Sequence, residues 1–366
     1  MSLARRNLLR EKTRFALSVT GVALAEMLVL LLGGFLSGID RQISAYLDQA
    51  PGSVVVAQAG VRDLLLGTSL LPPETGEAVD TTEGVERAVP ILSQFVILDL
   101  HGAKQPAYLV GYDPGTGGGP ARLAEGREPR ADDEVVLDRA LAQRHELVLG
   151  DRFALTGSRY TIVGLSEGTT SWMTGFLFIR RSAAEVLFRS PGATSFLLVV
   201  ASEGVTAETL RDRLAGLPGV EVLLKREMIA NDVAFFGRVF DPPVQLMAAI
   251  AFLIGTLVVG LVIYTATVER QREYGVLKAI GAPNRTLYRV VATQALIAAG
   301  LGSTAGVALA FGAAGLIMGL RPQFLIAFEP AAIAAALVAG LVMALLAALF
   351  PARLIAALAP ADAFRR

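Results

Sequence analysis

Four long apolar runs dominate the pattern of this chain, at residues 15–39, 242–268, 290–320 and 330–352. The last three contain no charged side chain, and the first contains one, Glu26. About 20 apolar residues suffice to cross a bilayer as a helix, so each run predicts a transmembrane segment. Between the first and second runs, residues 40–241 change character. Short β-rich stretches recur at Ser53–Ala57, Phe95–Leu100, Ala107–Tyr112, Arg152–Leu155, Tyr160–Leu165, Gly175–Ile179, Ser195–Ala201 and Val220–Leu224. Helical pieces intervene at Leu137–Arg144 and Thr206–Leu214. Strands bounded by turn residues and alternating with helices predict an α+β domain, with a more β-rich insertion across 120–190. The fold class is therefore an α-helical membrane protein of four transmembrane helices, with a large α+β domain inserted between helices 1 and 2. Asp241-Pro242-Pro243 reads as the return to the bilayer.

A charged island, Glu269 to Arg289, separates the second and third apolar runs. Its basic residues are Arg270, Arg272, Lys278, Arg285 and Arg289, against Glu269 and Glu273. Val276, Leu277 and Ile280 fall at helical spacing, with Tyr274 beside them and Arg272, Glu273 and Lys278 directed elsewhere, which predicts a short amphipathic helix. Gly281 stands where a left-handed cap ends such a helix, and Pro283 blocks its continuation. Asn284 can cap the helix that follows. The island is either a solvated hairpin or a docking helix, since an apolar stripe beyond the bilayer must be covered by headgroups or by protein.

Charge orients the chain. Residues 1–14 hold five basic groups and one acid, whereas residues 40–241 hold 19 basic and 27 acidic groups. Basic short segments stay in the cytoplasm, so 1–14 is read as a cytoplasmic amphipathic N-terminus and 40–241 as extracytoplasmic. On the same basis 269–289 is cytoplasmic, 321–329 is an outer loop, and 353–366 is a cytoplasmic tail. The result is a multi-pass protein of the inner (plasma) membrane with both termini inside. A signal peptide is the rival reading of 1–39, disfavoured by a 25-residue apolar core without a clean A-x-A site.

Several functions are excluded or weakened. The chain has no cysteine, which removes disulfides and thiol chemistry. No G-x-x-x-x-G-K-[ST] or G-x-S-x-G occurs, so neither nucleotide hydrolysis nor a nucleophile elbow is expected, and the chain is read as a non-enzyme. The glycines of Tyr112–Pro120 read as a flexible loop. His101 and His145 lie apart without metal spacing, and no metal site or resident cofactor is expected. Asp132-Asp133-Glu134 reads as a solvated turn, and Trp172-Met173 as core packing or an aromatic partner surface. No nucleic-acid partner is expected. Glu26, near the middle of the first helix, costs at least about 2.5 kcal/mol there on insertion scales, so it must face protein or water. It is either a carboxyl hydrogen-bonded to a neighbouring helix or a ligand for substrate, metal or protons.

The run Glu269-Arg270-Gln271-Arg272-Glu273-Tyr274-Gly275-Val276-Leu277-Lys278-Ala279-Ile280-Gly281-Ala282 resembles the coupling segment of FtsX/MacB-type ABC permeases. Pro351-Ala352-Arg353 followed by Pro360-Ala361-Asp362-Ala363 is similar to the closing P-A-R…P-x-x-A pattern of that family. Leu149-Gly150-Asp151-Arg152 with Tyr160-Thr161-Ile162-Val163-Gly164, and the size of the chain, resemble the compact haem-exporter and glycolipid-exporter (DevC-like) branch. The resemblance implies a homodimer of permeases in contact with membrane lipids, each driven by a separate cytoplasmic ATPase subunit that binds the ATP, with a periplasmic adaptor as a further partner. It implies export of a hydrophobic or amphiphilic substrate, lipid-like or haem, with Glu26 as the substrate-binding carboxylate. The alternative within the family is a permease that transmits force to an outer partner, or extracts lipoproteins, without transporting a solute.

Overall fold

The computed structural model describes residues 12–100, 102–169, 174–281 and 283–357. Trp172 and Met173, His101 and most of the predicted N- and C-terminal cytoplasmic segments lie outside the described residues. The chain divides into a helical unit (1–37, 240–320 and 326–366) and a sheet unit (38–239 with 321–325).

The sheet unit is built on one ten-stranded sheet. Its strands are β1 (Val54–Gln58), β2 (Val85–Leu100), β3 (Ala103–Tyr112), β4 (Leu123–Gly126), β5 (Glu134–Asp138), β6 (Arg152–Leu155), β7 (Ser158–Ser166), β8 (Gly175–Arg180), β9 (Phe196–Ala201) and β10 (Val220–Leu224). They run in the order β10-β1-β9-β2-β3-β8-β5-β7-β4, with β6 paired to β2 and β7. The β3–β8 and β5–β7 pairs are parallel and the other neighbours antiparallel. Strands β4 to β8, expected as an insertion, extend this same sheet beyond β3. One apolar cluster gathers Val54, Val56, Val199, Leu210 and Leu214, where the short helix Ala207–Leu214 covers the β1–β9 end. A second gathers Leu98, Leu109, Val135, Leu137, Leu177 and Ile179 around the middle strands. The predicted helix over 137–144 starts only at Arg139, because Leu137 and Asp138 belong to β5 and the Asp138 carboxylate accepts Leu141 N–H at 3.0 Å as the N-cap.

Two long helices enter the sheet unit. Helix α1 (Lys12–Gln49) does not stop at residue 39. Ile39, Ile43, Tyr46 and Leu47 recur at helical spacing and are all buried, so an apolar stripe carries the helix on. Tyr46 stacks on Phe176, with ring centroids 5.5 Å apart, and its hydroxyl donates to Gly118 O at 2.7 Å. That contact ties Gly118 of the glycine segment to α1. Gly118 itself has φ +80°, and a Cβ on Gly119 would run into the Tyr112 ring, so bulk is excluded at both positions. The second long helix, α6 (Lys225–Glu269), which follows the short helices α2 (Pro73–Asp80), α3 (Arg139–Arg144), α4 (Arg181–Phe188) and α5 (Ala207–Leu214), starts well before Pro242. The two prolines lie inside it, depriving the carbonyls of Arg238 and Val239 of their usual donors, at the point in sequence where the sheet unit ends. Near its start Asp232 is buried, and its carboxylate accepts the N–H groups of Leu64 and Leu65, each at 3.2 Å. Asn231 donates to Arg62 O at 3.0 Å, and Tyr108 donates to Leu64 O at 2.6 Å, so the loop between β1 and β2 is clasped from both sides.

The acidic turn is more ordered than the sequence implies. Glu134 accepts from Arg127 Nη1 at 2.7 Å and from the backbone N–H of Arg130 at 2.6 Å and of Ala131 at 3.3 Å. The Arg127 guanidinium and these amides hold its carboxyl down to about 2, below the ordinary 4.5. Because the folded value is depressed, the stabilisation is fully present above pH 4.5 and is lost as pH falls towards 2. Acid titration of the full chain should therefore show a loss of stability across that window that is absent in Glu134→Gln; equal acid sensitivity of both proteins would refute it. Asp232→Ala leaves two buried N–H groups without an acceptor, a loss of about 2–3 kcal/mol. Amide exchange at Leu64 and Leu65 should accelerate accordingly, and unchanged protection at both would count against the clasp.

Candidate functional site

The four apolar helices of the helical unit are the parts of α1 and Lys225–Glu269 outside the sheet unit, α8 (Asn284–Leu320) and α9 (Pro330–Ala357). They pack through small residues. A Cβ on Gly255 would come 2.5 Å from Ala25 Cβ, and one on Gly302 would come 2.6 Å from Val22 Cβ. A Cβ on Gly306 would come 2.8 Å from Ala23 O and 3.1 Å from Glu26 Cβ. Gly302 and Gly306 lie one turn apart on α8, the small-x-x-x-small spacing by which membrane helices approach closely. The glycines at 300, 312, 315 and 319 meet nothing nearby, so two of the six glycines in this helix make the close approach to α1.

Glu26 sits at this junction and is only 2% exposed. A Cβ on Gly340 of α9 would lie 2.7 Å from Glu26 Oε2 and 2.5 Å from Ser303 Oγ, so the carboxyl occupies space that a glycine leaves open. Neither carboxyl oxygen reaches hydrogen-bond geometry with a described group, although the Ser303 hydroxyl faces it. Glu26 is thus enclosed by helices of its own chain. Its surroundings are those of a carboxyl between neighbouring helices, closed to a ligand in this arrangement.

The island forms the helix α7 (Gln271–Ala279) immediately after Glu269, with Arg270 as the joint. Ile280 N–H bonds Val276 O at 3.1 Å, Gly281 N–H bonds Lys278 O at 3.0 Å, and Gly281 takes φ +94°, which ends the helix. Tyr274 is turned inward: it is 5% exposed and clusters with Val22, Val259, Ile263, Val291 and Ala344. Val276 and Ile280, one turn apart, are exposed at 42% and 76%. Arg272 and Glu273 are exposed, whereas Lys278 is half-buried. The structure describes the backbone of Leu277 and not its side chain. Sequence reasoning placed Tyr274 beside the outward stripe and missed its anchoring role; its position two residues before Val276 puts it on another face of the helix.

A family profile described as MacB-like periplasmic core domain matches residues 15–217, and one described as FtsX-like permease C-terminal matches residues 246–360. An uncharacterised ABC transporter permease of Mycobacterium tuberculosis (strain ATCC 25618 / H37Rv) is 26% identical over 307 residues, covering 84% of each chain. A proposed hemin transport system permease protein, HrtB, of Staphylococcus epidermidis (strain ATCC 12228 / FDA PCI 1200) is 20% identical over 293 residues, covering 78% of each. The periplasmic region of MacB from Actinobacillus actinomycetemcomitans matches 50% of this chain and 94% of its own, at 14% identity and a TM-score of 0.38. The periplasmic-core match alone spans more than half of the sequence, and with the FtsX-like match it covers all four apolar helices and nearly all of the sheet unit: the chain belongs to the MacB/FtsX family of ABC transporter permeases.

Proposed function

We propose that this permease is one of two identical membrane subunits in the inner membrane that couple a separate cytoplasmic ATPase to export of a hydrophobic or amphiphilic substrate. The family implies the ATPase; the pairing and the export are carried over from the resemblance, and the coupling surface is read from this chain's residues. The observation that carries it is α7, whose Tyr274 is packed into the helical unit while Val276 and Ile280 stand exposed. A helix anchored on one side and apolar on the other can receive a push and pass it to the helices behind it. Arg272, Glu273, Leu277, Lys278 and Gly281 complete the proposed coupling surface. Ile280 is exposed, so Ile280→Asp should leave the permease folded. In the coupled complex it would bury a charge, and loss of one apolar anchor costs on the order of 2 kcal/mol, about thirtyfold in affinity. Co-purification of a co-expressed ATPase should fall by that order. Recovery of the ATPase at wild-type levels with both Ile280→Asp and Val276→Asp would remove the coupling assignment.

Haem is the substrate tested first, because it is an amphiphile whose iron takes a carboxylate and because a relative carries a hemin-transport name. Glu26 would be its ligand, reached when α1 separates from α8 and α9. In the assembled complex, Glu26→Gln keeps the shape of the side chain and should leave basal ATP hydrolysis near normal while abolishing stimulation by hemin. If the variant instead destabilises the complex and leaves transport per molecule unchanged, Glu26 is a packing residue. A wild-type complex that no amphiphile stimulates would favour a force-transmitting role on an outer partner.

A further inference from the structure

At the end of the helical unit where α8 begins and α9 closes, the two helices leave an open groove of about 510 Å³ between them. That volume lies in the range of about 300–1,000 Å³ usual for small-molecule sites. Val342, Leu345, Leu346 and Leu349 form its wall, and all four are exposed. Polar chemistry is confined to one end, where Tyr288 of α8 and Arg353 of α9 line it. Arg353 is exposed and has no carboxylate partner among the described residues. Neither helix contains an acidic residue, while Arg285, one turn before Tyr288, and Arg289, next to it, are exposed on α8. The groove is therefore apolar along its length and cationic at its mouth, with no negative charge on either helix to balance it.

We infer that this groove is a binding site for an anionic phospholipid, with one acyl chain against Val342, Leu346 and Leu349 and the headgroup phosphate on Arg353. The helices cross a membrane, so an apolar groove on them meets acyl chains. At the end of such a groove, an arginine whose planar fork meets no carboxylate among the described residues matches a phosphate. Tyr288, apolar in its ring and polar at its hydroxyl, suits the same boundary. The site goes beyond the coupling proposal and does not depend on it, because it uses neither α7 nor Glu26. It also gives the arginine of the Pro351-Ala352-Arg353 motif a task that the coupling reading leaves open.

Native mass spectrometry of the full chain, reconstituted in phosphatidylcholine vesicles with a minor fraction of phosphatidylglycerol and released in mild detergent, tests the inference. The wild type should retain phosphatidylglycerol in preference to phosphatidylcholine. Arg353→Gln should lower that retention about fivefold, the order expected for one basic residue at an anionic surface, and Arg353→Lys should restore part of it. Leu346→Trp fills the groove without altering charge and should displace the lipid as well. Equal retention of phosphatidylglycerol by the wild type, Arg353→Gln and Leu346→Trp would overturn the proposal, as would equal loss of both lipids in Arg353→Gln. The chain has no cysteine, so Leu346→Cys reports on the rival occupant directly. A disulfide-linked dimer formed through that position in the membrane would place a second copy on the groove and would also overturn it.

Discussion

Close approach of α1 to α8 and α9 is the constraint on which the helical unit rests. Lipid gives two apolar helices little reason to associate, so contact between backbones has to supply what burial supplies in water. Gly302, Gly306 and Gly340 allow it, since a methyl group at any of them would meet Val22, Ala23, Ser303 or Glu26. The same approach encloses Glu26, whose carboxyl fills the gap that Gly340 leaves. Packing and polarity are thus one problem at this point: separating the helices would open the contact and expose a carboxyl to hydrocarbon together.

The loop helix α7 uses the same economy at the unit's margin. A free nine-residue helix is marginal in water, and this one is held by Tyr274, which joins the cluster of Val22, Val259, Ile263 and Val291. Once Tyr274 is fixed, the faces of Val276 and Ile280 follow from helical geometry. Their exposure is a consequence of which residue was taken inward. An exposed apolar pair there has to be covered by headgroups or by protein.

Much of the architecture was legible because membrane spans leave strong signals. The four apolar runs each lie within a helix, and the strands at Arg152–Leu155 and Val220–Leu224 match the residues that alternate in sequence. Helix ends were less legible. Prolines usually mark a boundary, yet Pro242 and Pro243 lie within a helix, and Asp40 and Arg41 look like a stop where Ile43, Tyr46 and Leu47 continue a buried stripe. The strands β4 and β5 were missed for another reason. Leu123–Gly126 carries glycine and acid, which are poor strand formers, and Glu134 reads as part of an acidic turn because its partner Arg127 lies seven residues away.

Arginine shows where sequence reading stops. The excess of basic residues at one end of the membrane helices reports on topology, and it treats each of them alike. Their surroundings do not. Arg270 is 12% exposed in its side chain and forms the joint between two helices, with Glu273 at 3.9 Å. Arg272 projects from α7 among exposed residues, and Arg353 stands at the mouth of an apolar groove. One pattern of charge therefore covers three different surroundings: a helix junction, an exposed helix face, and the mouth of an apolar groove. What separates them is the neighbour each side chain meets: Glu273, three residues on, for Arg270, and Tyr288 of another helix for Arg353. Charge composition can place such residues at a membrane face, but only packing assigns them their chemistry.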